Sequence, residues 1–243
     1  MSIVIIILIV LLGALTRTVF GFGEALVTMP LLALVAFDLQ SATALIGALG
    51  LIVAIPAAIR YRTKIDLAVV RRLVLGSLLG VPVGIAVMKW VPTKIVLGAL
   101  ALFLISYGTY NLVRKSAAQV HLASPKWDYL AGLISGIMGS AYNSHGVPVV
   151  IYGTLKKWSV DELRGILQAH FVCVGTIVVA SHILAGFWTV QVLQLLALSL
   201  PLLLIVIPIG NWISAKIAPT TMVKYIYGLL IIFGGLLLIK VIH

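Results

Sequence analysis

Ten hydrophobic runs follow one another along the chain, separated by short connections that are polar or rich in glycine. The runs lie at residues 3–20, 25–37, 41–59, 67–88, 95–113, 127–141, 147–155, 165–183, 189–209 and 225–242. Because a bilayer core of ~30 Å is spanned by ~20 helical residues, most of the runs are long enough to cross a membrane. The runs at 25–37 and 147–155 are short for a full span, and the sequence leaves open whether they cross or re-enter.

The composition agrees with this pattern. Hydrophobic residues make up 62% of the chain and charged residues 9%, whereas soluble domains average about 45–50% and about 25%. Strands of a membrane β-barrel would alternate apolar and polar residues, and runs such as Ile3–Leu12 do not alternate. We therefore expect an all-α polytopic protein with eight to ten transmembrane segments. A multi-pass location in the cell membrane follows, and we favour a bacterial inner membrane.

The positive charges are concentrated in alternate connections. The chain has 17 Lys and Arg against 6 Asp and Glu, a balance that in a soluble protein would suggest a nucleic-acid partner. Thirteen of these basic residues flank four alternate connections: Arg60, Arg62, Lys64, Arg71, Arg72, Arg114, Lys115, Lys126, Lys156, Lys157, Arg164, Lys216 and Lys224. Lys89, Lys94 and Lys240 lie on the other side, and Arg17 remains inside a segment. The positive-inside rule makes the basic side cytoplasmic and places both termini outside. The partner is therefore the lipid bilayer, and no nucleic acid is expected.

The two halves of the chain share a pattern. At a constant offset of 118 residues, four features recur: Gly21 with Gly139, Pro30 with Pro148, Ser41 with Ser159, and Gly47 with Gly165. Each half opens with a glycine-broken hairpin and continues with three longer helices. Five segments is an odd number, so the second copy would enter from the opposite side, as in inverted-topology transporters. We predict a first inverted repeat over residues 1–113, a cytoplasmic linker over 114–126 and a second repeat over 127–243.

Each half contains one break inside the hydrophobic region. The first break runs from Thr16 to Glu24, and the second contains Tyr142-Asn143-Ser144-His145-Gly146. Irregular backbone at membrane depth persists only where it is buried in protein or lines a wet cavity. A helix that begins after each break directs free N–H groups and a positive dipole end into that cavity. Two such helix starts predict an anion site. Close helix packing is the alternative explanation of the glycines, but it does not explain the consecutive polar-capable residues Tyr142 to His145.

One stretch of the second half resembles a known family. It comprises His145-Gly146-Val147-Pro148-Val149-Val150-Ile151-Tyr152, then Trp158, and Leu163-Arg164-Gly165 up to Phe171. The stretch is similar to the second-half signature of the TauE/SafE sulfite exporter family, also called the 4-toluene sulfonate uptake permease family. The resemblance covers essentially the whole chain in size, hydrophobic runs and the duplicated glycine-rich hairpin that ends in proline. The family has three near-consecutive glycines in each hairpin. In this sequence Glu24 occupies one of these places in the first half, and Ala141-Tyr142-Asn143 replace the glycines in the second.

The resemblance implies secondary transport of small sulfur-containing anions such as sulfite, sulfoacetate or other organosulfonates. Ionisable groups inside membrane segments are costly and mark candidate functional residues. Arg17 can hold a sulfonate through two parallel hydrogen bonds, and Glu24 is the candidate proton-coupling carboxyl. A structural ion pair that closes the hairpin is the alternative for both, and Arg17 could also extend to the cytoplasmic interface. Gly21 and Gly23 complete the first part of the predicted substrate site.

Asn143, Ser144, His145 and Gly146 form the second part of the predicted substrate site. The amide of Asn143 or the neutral imidazole of His145 can donate a hydrogen bond to an oxyanion. His145 can also titrate near neutral pH and carry the coupled proton. The alternative is that these side chains satisfy unpaired carbonyl groups of the broken helix.

Gln168 is the remaining predicted substrate ligand. It lies four residues after Arg164, on the same helix face, whereas Arg164 itself is favoured as an anchor at the cytoplasmic helix end. His170 and His182 are favoured as hydrogen-bonded packing residues. No histidine spacing builds a metal site with a carboxylate, so we expect neither a metal nor another cofactor.

The leading hypothesis is a secondary active anion transporter with protons as the coupling ion. No Walker sequence is present and the connections are too short for a nucleotide-binding domain, which excludes ATP-driven transport within this chain. A passive anion channel on the same fold is the alternative. An enzyme is not expected, because Ser144 beside His145 in sequence has no reason to face it and no carboxylate supports the pair. A homodimer is left open.

Overall fold

The computed structural model describes residues 3–113, 124–216 and 219–242, and within them every regular element is a helix. The α-helices are α1 (Ile3–Phe20), α2 (Glu24–Leu34), α3 (Leu39–Arg60), α4 (Leu67–Trp90), α5 (Thr93–Val113), α6 (Lys126–Tyr142), α7 (Gly146–Leu155), α8 (Val160–Leu184), α9 (Val190–Lys216) and α10 (Pro219–Ile242). A short 3₁₀ turn at Arg62–Lys64 joins α3 to α4. Each of the ten hydrophobic runs corresponds to one of these helices.

Six of the described helices are long and apolar enough to cross a membrane. They are α1, α3, α4, α5, α8 and α9. The all-α polytopic membrane fold expected from the sequence is therefore confirmed. Of the predicted cytoplasmic linker 114–126, residues 114–123 lie outside the described residues, and so do Arg114 and Lys115.

The short helix α2 turns back along α1. A Cβ atom added at Gly13, in the middle of α1, would touch Thr28 Oγ1 and lie 3.2 Å from the carbonyl oxygen of Glu24. At the far end of α2, Lys240 Nζ donates to the carbonyl oxygen of Ala33 at 2.5 Å. Helices α1 and α2 thus form a hairpin whose open end lies beside the end of α10.

The short helix α7 turns back along α6 in the same way. Asp128, in the first turn of α6, accepts a hydrogen bond from Tyr152 Oη near the end of α7. Lys156 Nζ, just after α7, lies 3.5 Å from the same carboxylate. This second hairpin therefore opens at the end of the molecule that carries Arg72, whose Nε lies 2.5 Å from Asp128.

The two hairpins open at opposite ends of the helix bundle. Gln40 Nε2 donates to the carbonyl of Met88 and so joins the first turn of α3 to the last turn of α4. This contact lies on the side of the bundle where α2 stops. The opposite end carries Arg60, Arg72 and Arg164 and is the basic end. Each hairpin that turns back takes away two of the ten possible membrane crossings. Because two is an even number, the basic connections still lie on the same side of the membrane.

Helix pairs also recur between the two halves. The extensive contact of α4 with α6 has a counterpart in that of α9 with α1, and α3–α8 and α5–α10 pair across the halves. The helix boundaries differ from the offset of 118 found in the sequence, because Phe20 ends α1 and Tyr142 ends α6, 122 positions later. Gly21 accordingly lies in the first break while Gly139 lies inside α6. The inverted repeat and its boundaries at 1–113 and 127–243 stay predictions.

Candidate functional site

The first break is a sharp turn between α1 and α2. Gly21 and Gly23 have φ angles of 84° and 93°, in the left-handed region that glycine enters without a Cβ clash. The N–H of Gly21 donates to the carbonyl of Arg17 at 2.6 Å, which ends α1. Helix α2 then begins at Glu24, so the break predicted from the glycines lies where expected.

The second break is closed by an asparagine. Asn143 has a φ of 53°, and asparagine is one of the few residues other than glycine that visit this region readily. Its N–H donates to the carbonyl of Gly139 at 2.8 Å, and the N–H of Ser144 donates to that of Met138 at 3.1 Å. Such bonds satisfy the last carbonyls of a helix. Helix α7 begins three residues after Asn143.

The two breaks meet inside the protein. A Cβ atom added at Gly146, the first residue of α7, would lie 3.6 Å from Cβ of Phe22 in the first break and 2.6 Å from the ring of Phe171. The first turns of α2 and α7, with their free N–H groups and positive dipole ends, therefore begin next to each other. This is the arrangement that the sequence predicted for an anion site.

A buried ion pair lies at this junction. Arg17 Nη1 is 3.2 Å from Glu24 Oε2, and the residues are 6% and 3% exposed. The guanidinium also lies over the ring of Phe171, with Cζ 4.3 Å from the ring centroid. Gly50 of α3 leaves room for the pair, because a Cβ atom there would lie 2.9 Å from Arg17 Nη1. The two residues that the sequence identified as a pair are thus in direct contact.

Several polar atoms around the pair have no hydrogen-bond partner in the described part of the chain. They are Arg17 Nε and Nη2, Glu24 Oε1, Asn143 Oδ1, His145 Nδ1 and Gln168 Oε1. A buried polar group without a partner costs about 1–3 kcal/mol. These six atoms belong to five of the predicted site residues, and a polar ligand bound among them would satisfy them.

Asn143 and His145 approach the pair from the second break. Asn143 Nδ2 donates to the carbonyl of Thr43 on α3, so the amide satisfies a carbonyl of α3 and none of α6. The His145 ring meets Phe171 edge to face, with centroids 4.6 Å apart. The backbone carbonyl of His145 accepts from Ser135 Oγ at 2.6 Å, which holds this residue in place.

Ser144 and Gln168 have more local contacts. Ser144 Oγ donates to the carbonyl of Tyr142 at 3.3 Å, and Ser144 lines a void of about 20 Å³ together with Gly23 and Gly146. Gln168 Nε2 donates to the carbonyl of Gly21 at 2.8 Å and so ties α8 to the first break.

Three cavities converge on Arg17. Two are small, at about 20 and 10 Å³, and both are also lined by Glu24, Asn143 and Phe171. The third has a volume of about 210 Å³ and extends to Arg60 and Arg164 at the basic end; we call it the vestibule. Gly21 and Gln168 line the vestibule, whereas His145 lines the smaller of the two voids. The predicted residues are thereby divided between a group that lines the two small voids around Glu24 and a group that lines the vestibule with Gln168.

His170 and His182, the other two histidines within the described residues, have structural contacts. His182 Nε2 lies 2.9 Å from the carbonyl oxygen of Ser140. His170 Nε2 lies 3.2 Å from Ser77 Oγ and 3.4 Å from Ser135 Oγ. Both arrangements agree with the packing role favoured from the sequence. Within the described residues, no group of three or more His, Cys, Asp or Glu side chains is placed to hold a metal ion.

Sequence reasoning missed the buried Asp128 and the site glycines Gly47 and Gly50. Asp128 is fully buried, although an acidic residue after Trp127 at a segment start suggests a solvated position. A Cβ atom at Gly47 would lie 3.0 Å from Asn143 Oδ1. No local signal distinguishes these two glycines from others that allow helices to pack closely.

The family model described as sulfite exporter TauE/SafE matches residues 5–238, nearly the whole chain, and confirms the resemblance noted from the sequence. No curated protein and no solved structure matches the chain. With a match of this extent over ten apolar helices and two central breaks, the chain belongs to the sulfite exporter TauE/SafE family of membrane transporters.

Proposed function

We propose that this protein is a secondary active transporter of small sulfur-containing anions, coupled to protons. The family description names sulfite, and we include sulfoacetate and other organosulfonates in the proposed substrate class because they carry the same kind of sulfur oxyanion. The observation that carries the proposal is a buried arginine, Arg17, which lies where both breaks meet and which has two guanidinium nitrogens without a partner among the described residues. A multi-pass protein with this role fits the inner membrane of a bacterium.

Arg17 has the chemistry that an oxyanion requires. Its Nη1 is occupied by Glu24, whereas Nε and Nη2 are available on the same planar group. A guanidinium binds two oxygens of a sulfite or sulfonate through parallel hydrogen bonds. The adjacent helix starts at Gly23–Glu24 and Gly146 add N–H donors and positive dipole ends. Asn143, Ser144 and His145 border the same space and complete the proposed ligand set.

Glu24 supplies a reason for proton coupling. A carboxylate and a substrate anion compete for the same guanidinium, because like charges repel strongly in a poorly solvated interior. A proton on Glu24 removes this competition, so an anion and a proton would bind together and leave together. His145, whose Nδ1 has no hydrogen-bond partner in the part of the chain that the structure describes, is the second candidate for the coupled proton.

Alternating access would involve the hairpin tips. The vestibule opens at the basic, cytoplasmic end, and its floor is formed by Arg17, Gly21 and Gln168. The small voids lie beyond Arg17 and are lined by Asn143 of the second break. In this arrangement the site faces the cytoplasm, and movement of the α1–α2 hairpin against the long helices would expose it on the other side.

A flux measurement tests the proposal. Purified protein in liposomes should accumulate sulfite or a sulfonate when a pH gradient is imposed at zero membrane potential. Arg17→Ala and His145→Ala should reduce this accumulation, and Arg62→Gln, on the surface of the 3₁₀ turn, is the matched control. If both site variants transport every such anion like the unaltered protein, the site assignment is wrong.

The same experiment separates the transporter from the alternative, a passive anion channel. A channel dissipates an anion gradient but cannot accumulate a sulfonate, which stays ionised on both sides, under a proton gradient alone. An enzymatic step is not part of the proposal, and the question of a homodimer is independent of it.

A further inference from the structure

The vestibule has an unusual balance of charge. Arg17, Arg60 and Arg164 line it, and no acidic residue does. All six acidic residues of the chain lie within the described segments. Among these segments neither Arg60 nor Arg164 has a carboxylate at ion-pair distance, since the ion pairs involve Arg17, Arg72 and Lys156. Two cations in one cavity without counter-charges create a positive potential that concentrates anions.

A single aromatic residue holds both outer arginines. Tyr61 Oη accepts a hydrogen bond from Arg164 Nη1 at 3.1 Å. The Cζ atoms of Arg60 and Arg164 lie 5.8 and 5.9 Å from the centroid of the Tyr61 ring. The sequence favoured Arg164 as an anchor at the membrane surface. In the structure its guanidinium is fixed at the cavity wall by Tyr61.

The vestibule also contains polar groups between its mouth and Arg17. Asn211 of α9 lines the wall, and Gln168, one turn deeper along α8 than Arg164, lies at the floor. Gln168 is 3% exposed, and its Oε1 has no partner within the described residues while its Nε2 is bonded to Gly21. The basic and amide side chains therefore form a continuous polar path from the cytoplasmic end to the buried arginine.

We infer that Arg60, Tyr61 and Arg164 form a second anion subsite, which takes a small oxyanion at the cytoplasmic end before or after it occupies Arg17. The subsite itself requires only the charge and geometry of the vestibule. Its role as a step in transport rests on the proposed function. The volume of about 210 Å³ leaves room for an anion at this subsite while Arg17 remains paired with Glu24.

Charge-selective thiol modification tests the subsite without any transport. Ala57 lines the vestibule, so Ala57→Cys, in a Cys173→Ser background, places a thiol there. The thiol is reacted with anionic sulfonatoethyl methanethiosulfonate and with cationic trimethylammonioethyl methanethiosulfonate. The measured quantity is the ratio of the rate with the anionic reagent to the rate with the cationic one. Any change in the reactivity of the thiol itself affects both reagents and cancels in the ratio.

We expect the anionic reagent to be favoured. Arg60→Gln with Arg164→Gln should lower the ratio by about tenfold, because cavity potentials of this kind change local ion concentrations by factors of about 10 or more. Arg62→Gln removes one charge from the same surface outside the vestibule and should change the ratio by less than about twofold. An equal response of the double variant and of Arg62→Gln would overturn the subsite. Size-exclusion profiles and melting temperatures show that each variant is folded.

Sulfite transport supplies the second readout. Arg60→Gln and Arg164→Gln should each raise the half-saturating sulfite concentration at the cytoplasmic side by about fivefold and change that at the opposite side by less than about twofold. Equal changes on both sides would contradict a cytoplasmic subsite. If the unaltered protein transports neither sulfite nor any sulfonate but the thiol ratio responds as expected, the proposed function fails and the subsite stands.

Discussion

The α1–α2 hairpin carries the buried ion pair of Arg17 and Glu24, whereas the α6–α7 hairpin has uncharged polar residues at its break. In both hairpins the first helix is followed by a residue in the left-handed region, Gly21 after α1 and Asn143 after α6. Both also begin a short helix at the common junction. The backbone arrangement is therefore shared, and the two tips differ in chemistry: the first provides charge and the second provides neutral donors and acceptors.

The hairpins also differ in how they are held. Helix α6 meets α4 backbone to backbone, and Cβ atoms added at Gly80 or Gly136 would collide with the carbonyl oxygens of Leu133 and Ser77. Helix α1 meets α9 through side chains, since the nearest atom to a Cβ atom at Gly210 belongs to the side chain of Thr18. Interfaces between backbones tolerate little displacement.

This difference suggests a division of roles. The second hairpin is closely packed along α4 and fixed at its base by Asp128, so we expect it to act as the rigid part. The first hairpin lines the vestibule and carries Arg17 and Glu24, the groups proposed to bind anion and proton, so we expect it to move. The following predictions test this comparison, beginning with the largest expected effect.

Arg17→Ala should have the largest effect, because it leaves Glu24 buried without its partner. Breaking a buried ion pair in this way costs about 3–5 kcal/mol. The loss of stability should be greatest at high pH and should decrease as the pH falls, since a protonated Glu24 is neutral. Thermal unfolding in detergent over a pH series measures it. Arg17→Ala with Glu24→Gln is the control and should recover stability without recovering transport. A pH-independent loss would show that the charge of Glu24 is not the cause.

Asp128→Asn should come next and should act on the base of the second hairpin. The carboxylate is bound by Arg72, Tyr152 and Lys156, but Arg72 and Lys156 reach partly into solvent, so we expect a loss of about 2–3 kcal/mol. Glu162→Gln, a surface carboxylate in a helix cap, is the control and should cost about 1 kcal/mol or less. Chemical denaturation in mixed micelles distinguishes the two. If Glu162→Gln and Asp128→Asn lower the free energy of unfolding equally, Asp128 does not fix the base of this hairpin.

Gly80→Ala should destabilise the α4–α6 interface by about 1–3 kcal/mol, because the added methyl group meets backbone atoms that cannot yield. Gly235→Ala on α10 is the matched control, since nothing lies within 4 Å of a Cβ atom there. The control should be neutral or stabilising, as alanine favours helix by up to about 1 kcal/mol over glycine. Melting temperatures of the two variants compare them directly. Similar values would mean that α6 can shift along α4, contrary to a rigid second hairpin.

Asn143→Ala and Asn143→Gly should have the smallest effects, and the difference between them is informative. Both variants lose the hydrogen bond to Thr43, but only alanine is strained at a φ of 53°. We therefore expect Asn143→Ala to be less stable than Asn143→Gly by about 1 kcal/mol. Gly21→Ala, at a φ of 84°, should show the same strain in the first hairpin. A stable Asn143→Ala protein would show that the two breaks do not share a backbone requirement.

Most of the helices were predictable from the sequence. Hydrophobicity is a local property that adds along the chain, so each run that avoids water for about 20 residues forms a helix whatever its neighbours are. The breaks were predictable for a related reason, since Gly21 and Gly23 interrupt a run where few other residues are tolerated. The contact between Arg17 and Glu24 was also predictable, because the two residues lie on either side of the same turn.

The register of the repeat was less predictable. In a chain with 22 glycines and 9 prolines, matches such as Gly21 with Gly139 arise at several offsets. The helix ends depend on capping and on packing against α3 and α8. At the breaks they are 122 residues apart, whereas the sequence matches have an offset of 118 residues. Asp128 was missed for a similar reason, because its partners Arg72 and Tyr152 come from two other helices.

The sequence by itself determined that this protein is an all-helical membrane protein, which side of it is basic, and which two segments are broken. These properties depend on the transfer of side chains between water and lipid, and each residue contributes to them independently. Only the tertiary structure decided that α2 turns back along α1 and α7 along α6, that Gln168 and Arg164 face a cavity, and that Asn143 reaches α3. Those outcomes depend on which helix surfaces meet, and a surface in contact is a property of two segments at once.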